Sequence, residues 1–416
     1  MQAGFPLQSK DRTQTACLVC HQNVTPAVVE QWQRSAHAEE VNGVACAVCH
    51  GQKHKTMNDV AETVIPGAQT CRTCHEEQWG QYASGQHARA WEAAQALPDF
   101  HWEPMAVGLG LQGCLTCHGI GLQSKQADQS SAAAINQAKK TACAHCHSSH
   151  TFSKQEAAHP TACRRCHMGS EHQQWESYLS SAHGHLYLKQ AGRDLQAVEP
   201  YPVCQTCHMN QGEHGVMTAW GGLGLREPDT LDDPDWAEDQ ATLLRFLGLL
   251  GADREPTHRM ERFQQLGVIS ASGTRGQKLR ARMLRTCLGC HEAMFVRQRM
   301  ESAEEIARQA DLITAEVIRS VWPHLSTQGA ETGGGPSGQD AFALEDSDSL
   351  LEQDVFTMFR KHRKSARTGA FHMSPERSFW KGLHQLRRDA ARIKAFKGEA
   401  AEDEHSQHEF RIQESE

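Results

Sequence analysis

The sequence predicts a mainly α-helical fold with extensive coil, and three observations support this. No stretch shows the sustained alternation of apolar and polar residues that marks a strand. Short cysteine motifs crowd the chain up to about residue 292, so only short helices and loops fit between them. Further along, the apolar residues Ile306, Ala310, Ile313 and Val317 recur at three- and four-residue steps, which predicts an amphipathic helix.

We expect three regions along the chain. A motif-bearing core spans 1–292, and a region of long helices spans 293–400 with a Gly/Ser-rich loop near 326–349. A charged tail spans 401–416, and we expect it to be disordered. Within the core, Thr25 is expected to cap a helix that begins at Pro26.

All 16 cysteines belong to C-x-x-C-H motifs, of which there are eight. In such a motif the two cysteines form thioethers to a porphyrin and the histidine binds its iron. A zinc ribbon or a disulfide framework would not require a histidine after every pair. We therefore predict eight c-type haems in a multihaem cytochrome c core. The attaching cysteines are Cys17, Cys20, Cys46, Cys49, Cys71, Cys74, Cys114, Cys117, Cys143, Cys146, Cys163, Cys166, Cys204, Cys207, Cys287 and Cys290, and the proximal histidines are His21, His50, His75, His118, His147, His167, His208 and His291.

The chain has 26 histidines, which leaves 18 beyond the proximal ligands. A six-coordinate haem with two histidine ligands needs one more histidine per iron, so the surplus suits a largely six-coordinate array. The predicted second ligands are His37, His54, His87, His150, His183, His214 and His372. For His101, His145, His159 and His185 an ordinary surface or core role is as good an interpretation or better.

The fourth motif differs from the others. Glycines flank Cys114–His118, which allows close approach of the backbone to a haem or to a substrate path. The first histidine downstream is His145, so the fourth iron is the best candidate for an open coordination position.

A Glu171-His172 pair follows the sixth motif and has two interpretations. The pair can face the open iron as a proton source, because histidine transfers protons near neutral pH. Alternatively, Glu171 is a helix N-cap and His172 is one more distal ligand. From the residues alone the two interpretations are about equal.

Charge and composition narrow the class of protein further. The formal net charge of −8 disfavours nucleic-acid binding and favours a redox partner with a basic patch. Only 39% of the residues are hydrophobic and 6% are aromatic, so porphyrin faces are expected to complete the core. A chain without haem should therefore fold poorly.

The compartment follows from the haem chemistry. Haem is attached to cysteine thiols outside the cytoplasm, so we expect an exported, soluble, periplasmic protein. No window of apolar residues is long enough to span a membrane. The opening MQAGFPLQSKDR has no charged and apolar leader pattern, so any signal peptide is expected to have been removed.

The strings between the motifs resemble the octahaem hydroxylamine oxidoreductase family. They include CHGQKH, GQHARAW, GCLTCHGIG, CHMGSEHQQWESYLSSAHGHLY and TGAFHMSPERSFWKG, and they cover nearly the whole motif-bearing region and part of the C-terminal helices. The resemblance implies seven electron-carrying haems with two histidine ligands each. It also implies a catalytic fourth haem on Cys114, Cys117 and His118, with Glu171 and His172 in its distal pocket.

Two departures from the family pattern refine the expected activity. The acidic residue is usually Asp, whereas this chain has Glu171. Oxidative members cross-link the catalytic haem to a C-terminal Tyr of a neighbouring subunit, but the tyrosines here are Tyr82, Tyr178, Tyr187 and Tyr201. The resemblance then points to the branch that lacks the cross-link, which reduces hydroxylamine or nitrite towards ammonia. Every motif ends in His, which argues against octahaem reductases with a proximal Lys.

The resemblance also implies a homotrimer and a redox partner, either a cytochrome or a quinol-linked donor. Other functions stay open. One is oxidation of hydroxylamine or hydrazine on an unmodified haem. Another is a pure electron conduit with every iron six-coordinate, and a last one is a redox subunit that serves another enzyme's active site.

Overall fold

A computed structural model of the protein describes residues 12–39, 43–96, 111–121, 142–169, 172–190, 201–216, 218, 220–270, 273–325 and 349–396. Within these residues the regular structure is helical, and a single isolated bridge joins Leu250 and Pro256. The predicted fold class is therefore confirmed. Glu171, His101, most of the predicted loop near 326–349 and the tail 401–416 lie outside the described residues.

The chain divides into two compact units. The first is drawn from Met1–Trp91, Gly108–Arg165 and Gln211–Val216, and the second from Glu92–Val107, Cys166–Asn210 and Met217–Glu416. The first unit carries five complete motifs and Cys163, while the second carries the rest of the sixth motif and the last two motifs. The regional boundaries near residues 292 and 400 stay predictions.

Short helices make up the described chain up to Arg164. Several contain a motif, and short 3-10 turns at Ala36–Ala38 and His87–Arg89 carry two predicted ligands. The helices are Arg12–Val24, Pro26–Gln33, Cys46–His50, Ala68–Arg72, Glu76–Ser84, Ala90–Ala96, Leu111–His118, Lys154–Ala158 and Thr161–Arg164. A helix begins at Pro26 as expected, but the predicted cap is wrong: Thr25 makes no side-chain cap bond, because its hydroxyl lies 2.8 Å from Nδ1 of His21.

The described helices of the second unit range from 5 to 29 residues. They are Gln174–Leu179, Ala182–Gln190, Cys204–His208, Pro234–Phe246, His258–Gln265, Gly273–Leu288, Ala293–Val321, Leu350–Thr357 and Lys364–Phe371, with a further helix over 384–396. Helix Ala293–Val321 is the predicted amphipathic helix, with Ile306, Ala310 and Val317 buried and Ile313 packed against the same core. Helix Pro234–Phe246 contributes Leu243, Leu244 and Phe246 to this core.

Helix Ala293–Val321 also buries a carboxylate. Asp311 is fully buried and accepts hydrogen bonds from Arg363 Nε at 2.8 Å and Arg367 Nη1 at 3.0 Å. Trp236 Nε1 and Gln240 Nε2 donate to the same carboxylate at 3.0 and 2.7 Å. Burial lowers the pKa of Arg363 to about 10, against the opposing effect of Asp311, so this guanidinium remains charged at neutral pH. The Asp311 carboxylate thus connects helix Ala293–Val321 to helix Pro234–Phe246 and to the C-terminal segment that carries Arg363 and Arg367.

Two π-helical segments lie in the C-terminal part of the second unit, Met358–Arg363 and Glu376–Leu383. The second packs against helix Lys364–Phe371 so closely that a Cβ on Gly382 would overlap Ala366. Gly369 is equally constrained, since a Cβ there would lie 2.5 Å from the backbone nitrogen of Ser378. Glycine at both positions therefore permits the close crossing. Wide π turns often occur at functional sites, and these two line the cleft described below.

Candidate functional site

Six of the predicted distal histidines face a proximal histidine that is far away in the sequence. In the first unit the ring centroids of His21–His54, His37–His75, His50–His150 and His147–His214 are 6.1, 6.2, 6.0 and 6.3 Å apart. In the second unit the separations for His183–His291 and His208–His372 are 6.0 and 6.3 Å. Metal–imidazole bonds are about 2 Å long, so rings on opposite sides of one metal have centroids about 6 Å apart. The pairs therefore fit six-coordinate haem iron.

Carbonyl acceptors orient several of these rings. Nδ1 of His50 lies 3.1 Å from the Val64 carbonyl oxygen, and Nδ1 of His372 lies 2.7 Å from that of Thr368. A carbonyl can only accept, so the proton is on Nδ1 and the lone pair of Nε2 is left for a metal. Burial lowers the pKa of His372, which favours the neutral, ligating form.

A carboxylate holds the distal candidate for the first motif. Nδ1 of His54 lies 3.0 Å from Oδ1 of Asp59. Hydrogen bonds, of which that from the Thr56 amide is the largest cause, lower the pKa of Asp59 to about 2. Asp59 is therefore ionised near neutral pH and makes His54 a more basic ligand.

The fourth motif lies on helix Leu111–His118 in the first unit. Leu115 is buried and packs with Trp91 and Cys114. Nδ1 of His118 lies 3.0 Å from the Ala90 carbonyl oxygen, which again leaves Nε2 for iron. Burial lowers the pKa of His118, and the hydrogen bond to Ala90 partly offsets this, so the neutral ring is favoured.

The turn Gly119–Gly121 after the fourth motif is buried and tightly packed. A Cβ on Gly121 would lie 2.7 Å from the Ala90 nitrogen and 2.8 Å from the His87 carbonyl oxygen, so only glycine fits. Tyr82 donates its hydroxyl to the Ile120 carbonyl oxygen at 2.5 Å and fixes the same turn. The flanking glycines singled out in the sequence thus allow close backbone packing.

His145 lies beside this turn, although no sequence pattern distinguished it from a surface or core histidine. A Cβ on Gly119 would lie 3.7 Å from Nε2 of His145. His145 falls between the two cysteines of the fifth motif. The motif explains why a residue is needed at this position but does not predict that His145 lies beside Gly119. His87, in turn, lies in the 3-10 turn His87–Arg89 next to Gly121, and its role as a distal ligand stays a prediction.

His172 lies close to the proximal histidine of its own motif. The ring centroids of His167 and His172 are 6.1 Å apart, as in the pairs above. These two residues are near neighbours in sequence, and the Trp175 amide donates to the His167 carbonyl oxygen at 2.9 Å to close the intervening turn. The short connection brings the rings together in any case, so this distance discriminates less than the distances between remote partners.

The motifs of the first unit approach one another closely. The side chain of Cys71 in the third motif is hydrogen-bonded to that of Cys143 in the fifth. None of the sixteen cysteines, all within the described residues, is in a disulfide. The thiols are thus available for thioether formation, and the third and fifth motifs would hold neighbouring haems, as electron transfer requires.

The comparisons with known proteins agree with this geometry. Residues 42–219 match the family described as seven times multi-haem cytochrome CxxCH, and residues 1–51 match cytochrome c554 and c-prime. A probable nitrite reductase-hydroxylamine oxidoreductase fusion protein of Kuenenia stuttgartiensis is 26% identical over 341 residues, which cover 70% of this chain. By these matches this chain is similar to hydroxylamine oxidoreductase-like multihaem cytochromes c. It spans 35% of the length of that fusion protein.

Solved structures share the fold of this chain. A reducing HAO-like protein complex of Kuenenia stuttgartiensis has a TM-score of 0.58 at 18% identity and covers 94% of this chain and 87% of its own. A hypothetical multiheme protein has a TM-score of 0.63 at 19% identity, with 96% and 98% covered. Among the described helices, none is both long and apolar enough to cross a membrane.

Removal of one distal ligand should be visible as a change of iron spin state. Replacing His372 with Ala is expected to convert one low-spin haem into a high-spin haem, because His208 would then be the only histidine ligand. Electron paramagnetic resonance of the oxidised holoprotein measures both populations. His384→Ala, which removes an exposed histidine, serves as the control. An unchanged low-spin population in His372→Ala would contradict the pairing.

Proposed function

We propose that the protein is an exported enzyme with eight c-type haems that reduces hydroxylamine, and also nitrite, to ammonia. The observation that carries the proposal is the set of six remote histidine pairs, which suits haems that store and deliver electrons. Similarity to a probable nitrite reductase-hydroxylamine oxidoreductase fusion protein supports the substrate class. Haem attachment outside the cytoplasm supports a periplasmic location.

The fourth motif is the proposed reaction centre. Cys114, Cys117 and His118 would hold the haem, and when bound this haem supplies a redox-active metal for the substrate nitrogen. The Ala90 carbonyl fixes the orientation of His118, and the Gly119–Gly121 turn keeps the backbone close. The hydrogen bond from the Tyr82 hydroxyl to the Ile120 carbonyl oxygen holds that turn in place.

Protons must accompany the electrons. Reduction of hydroxylamine to ammonia and water consumes two electrons and two protons, and the N–O bond breaks as its oxygen leaves as water. Glu171 and His172 are the proposed proton source, with the carboxylate holding the imidazole tautomer. A positioned acid–base group of this kind contributes roughly 10²–10⁴-fold to the rate.

The tyrosines support the reductive direction. A covalent bond from a C-terminal Tyr belongs to the oxidative members of the resembled family, and the last tyrosine of this chain is Tyr201. The hydroxyl of Tyr178 donates to the Pro202 carbonyl oxygen at 3.1 Å, so this tyrosine has a structural role. The proposed homotrimer would therefore be held by non-covalent contacts, and a cytochrome or quinol-linked donor would supply electrons.

Steady-state kinetics of the purified holoprotein test the direction. With a reduced viologen as donor, hydroxylamine should be consumed faster than with an oxidised acceptor. Faster consumption with the acceptor would instead support oxidation of hydroxylamine or hydrazine on an unmodified haem. Nitrite should also be consumed with the viologen and yield ammonia.

A pure electron conduit is the second candidate, and the distance between His167 and His172 is compatible with it. If His172 ligates the sixth iron, the Glu171-His172 pair offers no proton source. A conduit would show only low-spin haem in electron paramagnetic resonance and no spectral shift with hydroxylamine. The proposed enzyme would show a high-spin population that responds to hydroxylamine.

A further inference from the structure

A cleft of about 430 Å³ lies in the second unit beside the segment that follows the sixth motif. Its lining residues are Gly169, Gln173, Glu176, Lys361, His362, Ser365, Arg377, Lys381 and Gln385. We infer that this cleft captures small oxyanions and so serves as the nitrite-binding site from which the anionic substrate is supplied. The inference rests on the proposed function and identifies a substrate site within it.

The charge of the cleft is predominantly positive. Lys361, Arg377 and Lys381 line it, and none of the three forms a salt bridge within the part of the chain that the structure describes. Other arginines of the second unit are paired, such as Arg367 with Asp311 and Arg392 with Asp354. Cations gathered in one concave site without carboxylate partners attract an anion and raise its local concentration.

The single carboxylate in the cleft lining is hydrogen-bonded through one of its two oxygens. Glu176 accepts a hydrogen bond from the Gly169 amide at 3.0 Å through Oε1. This bond joins Gly169 to helix Gln174–Leu179. One carboxylate against three cations leaves the site with a net positive charge.

His362 also lines the cleft, and its imidazole ring is held in place by Asp389. Its Nδ1 lies 2.5 Å from Oδ2 of Asp389, a carboxylate that is 4% exposed. Arg392 donates to the other oxygen of Asp389 at 3.1 Å. Because Nδ1 is occupied by the carboxylate, the second ring nitrogen of His362 is the one available to the cleft.

The backbone segments that carry the cations of the cleft are closely packed. Lys361 and His362 lie on the π-helical segment Met358–Arg363, and Arg377 and Lys381 lie on Glu376–Leu383. The close contact of Gly382 with Ala366 fixes the second segment against the helix that continues the first. The backbone positions of the cations are therefore fixed, while the side chains of Lys361 and Lys381 are exposed.

The cleft adjoins the segment that carries His172. Gln173 lines it and donates from Nε2 to the Lys361 carbonyl oxygen at 3.4 Å. An anion held in the cleft therefore lies beside Gln173, the residue that follows His172 in the chain. Nitrite is an anion near neutral pH whereas hydroxylamine is largely uncharged, so the cleft should matter more for nitrite.

The test uses the full holoprotein in which Lys361, Arg377 and Lys381 are replaced with Gln together. The matched control replaces Arg275, Lys278 and Arg297 with Gln, which removes the same charge from exposed positions that do not line the cleft. With reduced viologen, the cleft variant should show a KM for nitrite raised about tenfold and a weaker salt dependence. Its KM for hydroxylamine should rise much less, and the control should resemble the natural protein.

A binding measurement separates this inference from the proposed function. Nitrite at constant ionic strength should raise the thermal midpoint of the natural holoprotein and of the control, but not that of the cleft variant. This result would stand even if the protein reduced neither substrate. Equal midpoint shifts in all three proteins, or an unchanged KM for nitrite, would overturn the inference. The inference would also be overturned if the cleft variant had a changed haem spectrum and lost activity equally with nitrite and with hydroxylamine. In that case the cleft would hold a haem propionate.

Discussion

Replacing Asp311 with Ala should lower the free energy of unfolding of the second unit by about 3–5 kcal/mol, because removal of one partner leaves buried charges uncompensated. Asp311 is 0% exposed and contacts both Arg363 and Arg367, which are 2% and 6% exposed. Arg363 stays protonated at neutral pH, since burial lowers its pKa only to about 10. The variant would therefore bury two cations without their shared anion. Trp236 and Gln240 would also lose a hydrogen-bond acceptor.

Urea unfolding of the holoprotein, followed by far-ultraviolet circular dichroism, measures this effect. Glu316→Ala is the control, because Glu316 pairs with Lys394 at an exposed site and its loss should change the free energy of unfolding by less than about 1 kcal/mol. Asp311→Asn keeps the shape and tests charge alone. Equal small effects of Asp311→Ala and Glu316→Ala would contradict the assigned role of the buried network.

Local chemistry explains what the sequence predicted well. A C-x-x-C-H motif predicts haem attachment by itself, because the covalent attachment of haem needs only these residues at this spacing. The α-helical fold class followed in the same way from periodicity, as at Ile306 and Val317. These features depend on residues that are neighbours along the chain.

Pairings and clefts depend on remote residues, and the sequence could not specify them. It predicted His54 and His372 as second ligands, but it did not predict that they face His21 and His208, since nothing in the chain encodes that pairing locally. From the sequence alone, Asp311 would be interpreted as a solvent-exposed charge that interrupts an apolar helix face. The structure shows that it is buried and paired with Arg363. The cations of the cleft appear as ordinary surface residues for the same reason.

The role of His172 is the prediction with the largest expected effect on activity. His172→Ala should lower hydroxylamine turnover roughly 10²–10⁴-fold while haem content and the low-spin population stay unchanged, because a proton source and not a ligand would be lost. Turnover with reduced viologen and electron paramagnetic resonance of the same sample measure the two quantities. His185→Ala, which removes an exposed histidine of the same unit, is the control.

Turnover and electron paramagnetic resonance together distinguish a proton source from an iron ligand at His172. The distance between His167 and His172 alone does not distinguish these roles. His167 and His172 have ring centroids 6.1 Å apart, but the turn closed by the Trp175 amide accounts for that separation without a shared metal. The six other pairs have no such local explanation, since their partners come from remote parts of the chain. Loss of one low-spin haem in His172→Ala would make His172 a ligand of the sixth iron. The proton for the fourth haem would then have to come from another residue, and His145, beside Gly119, is the first to examine.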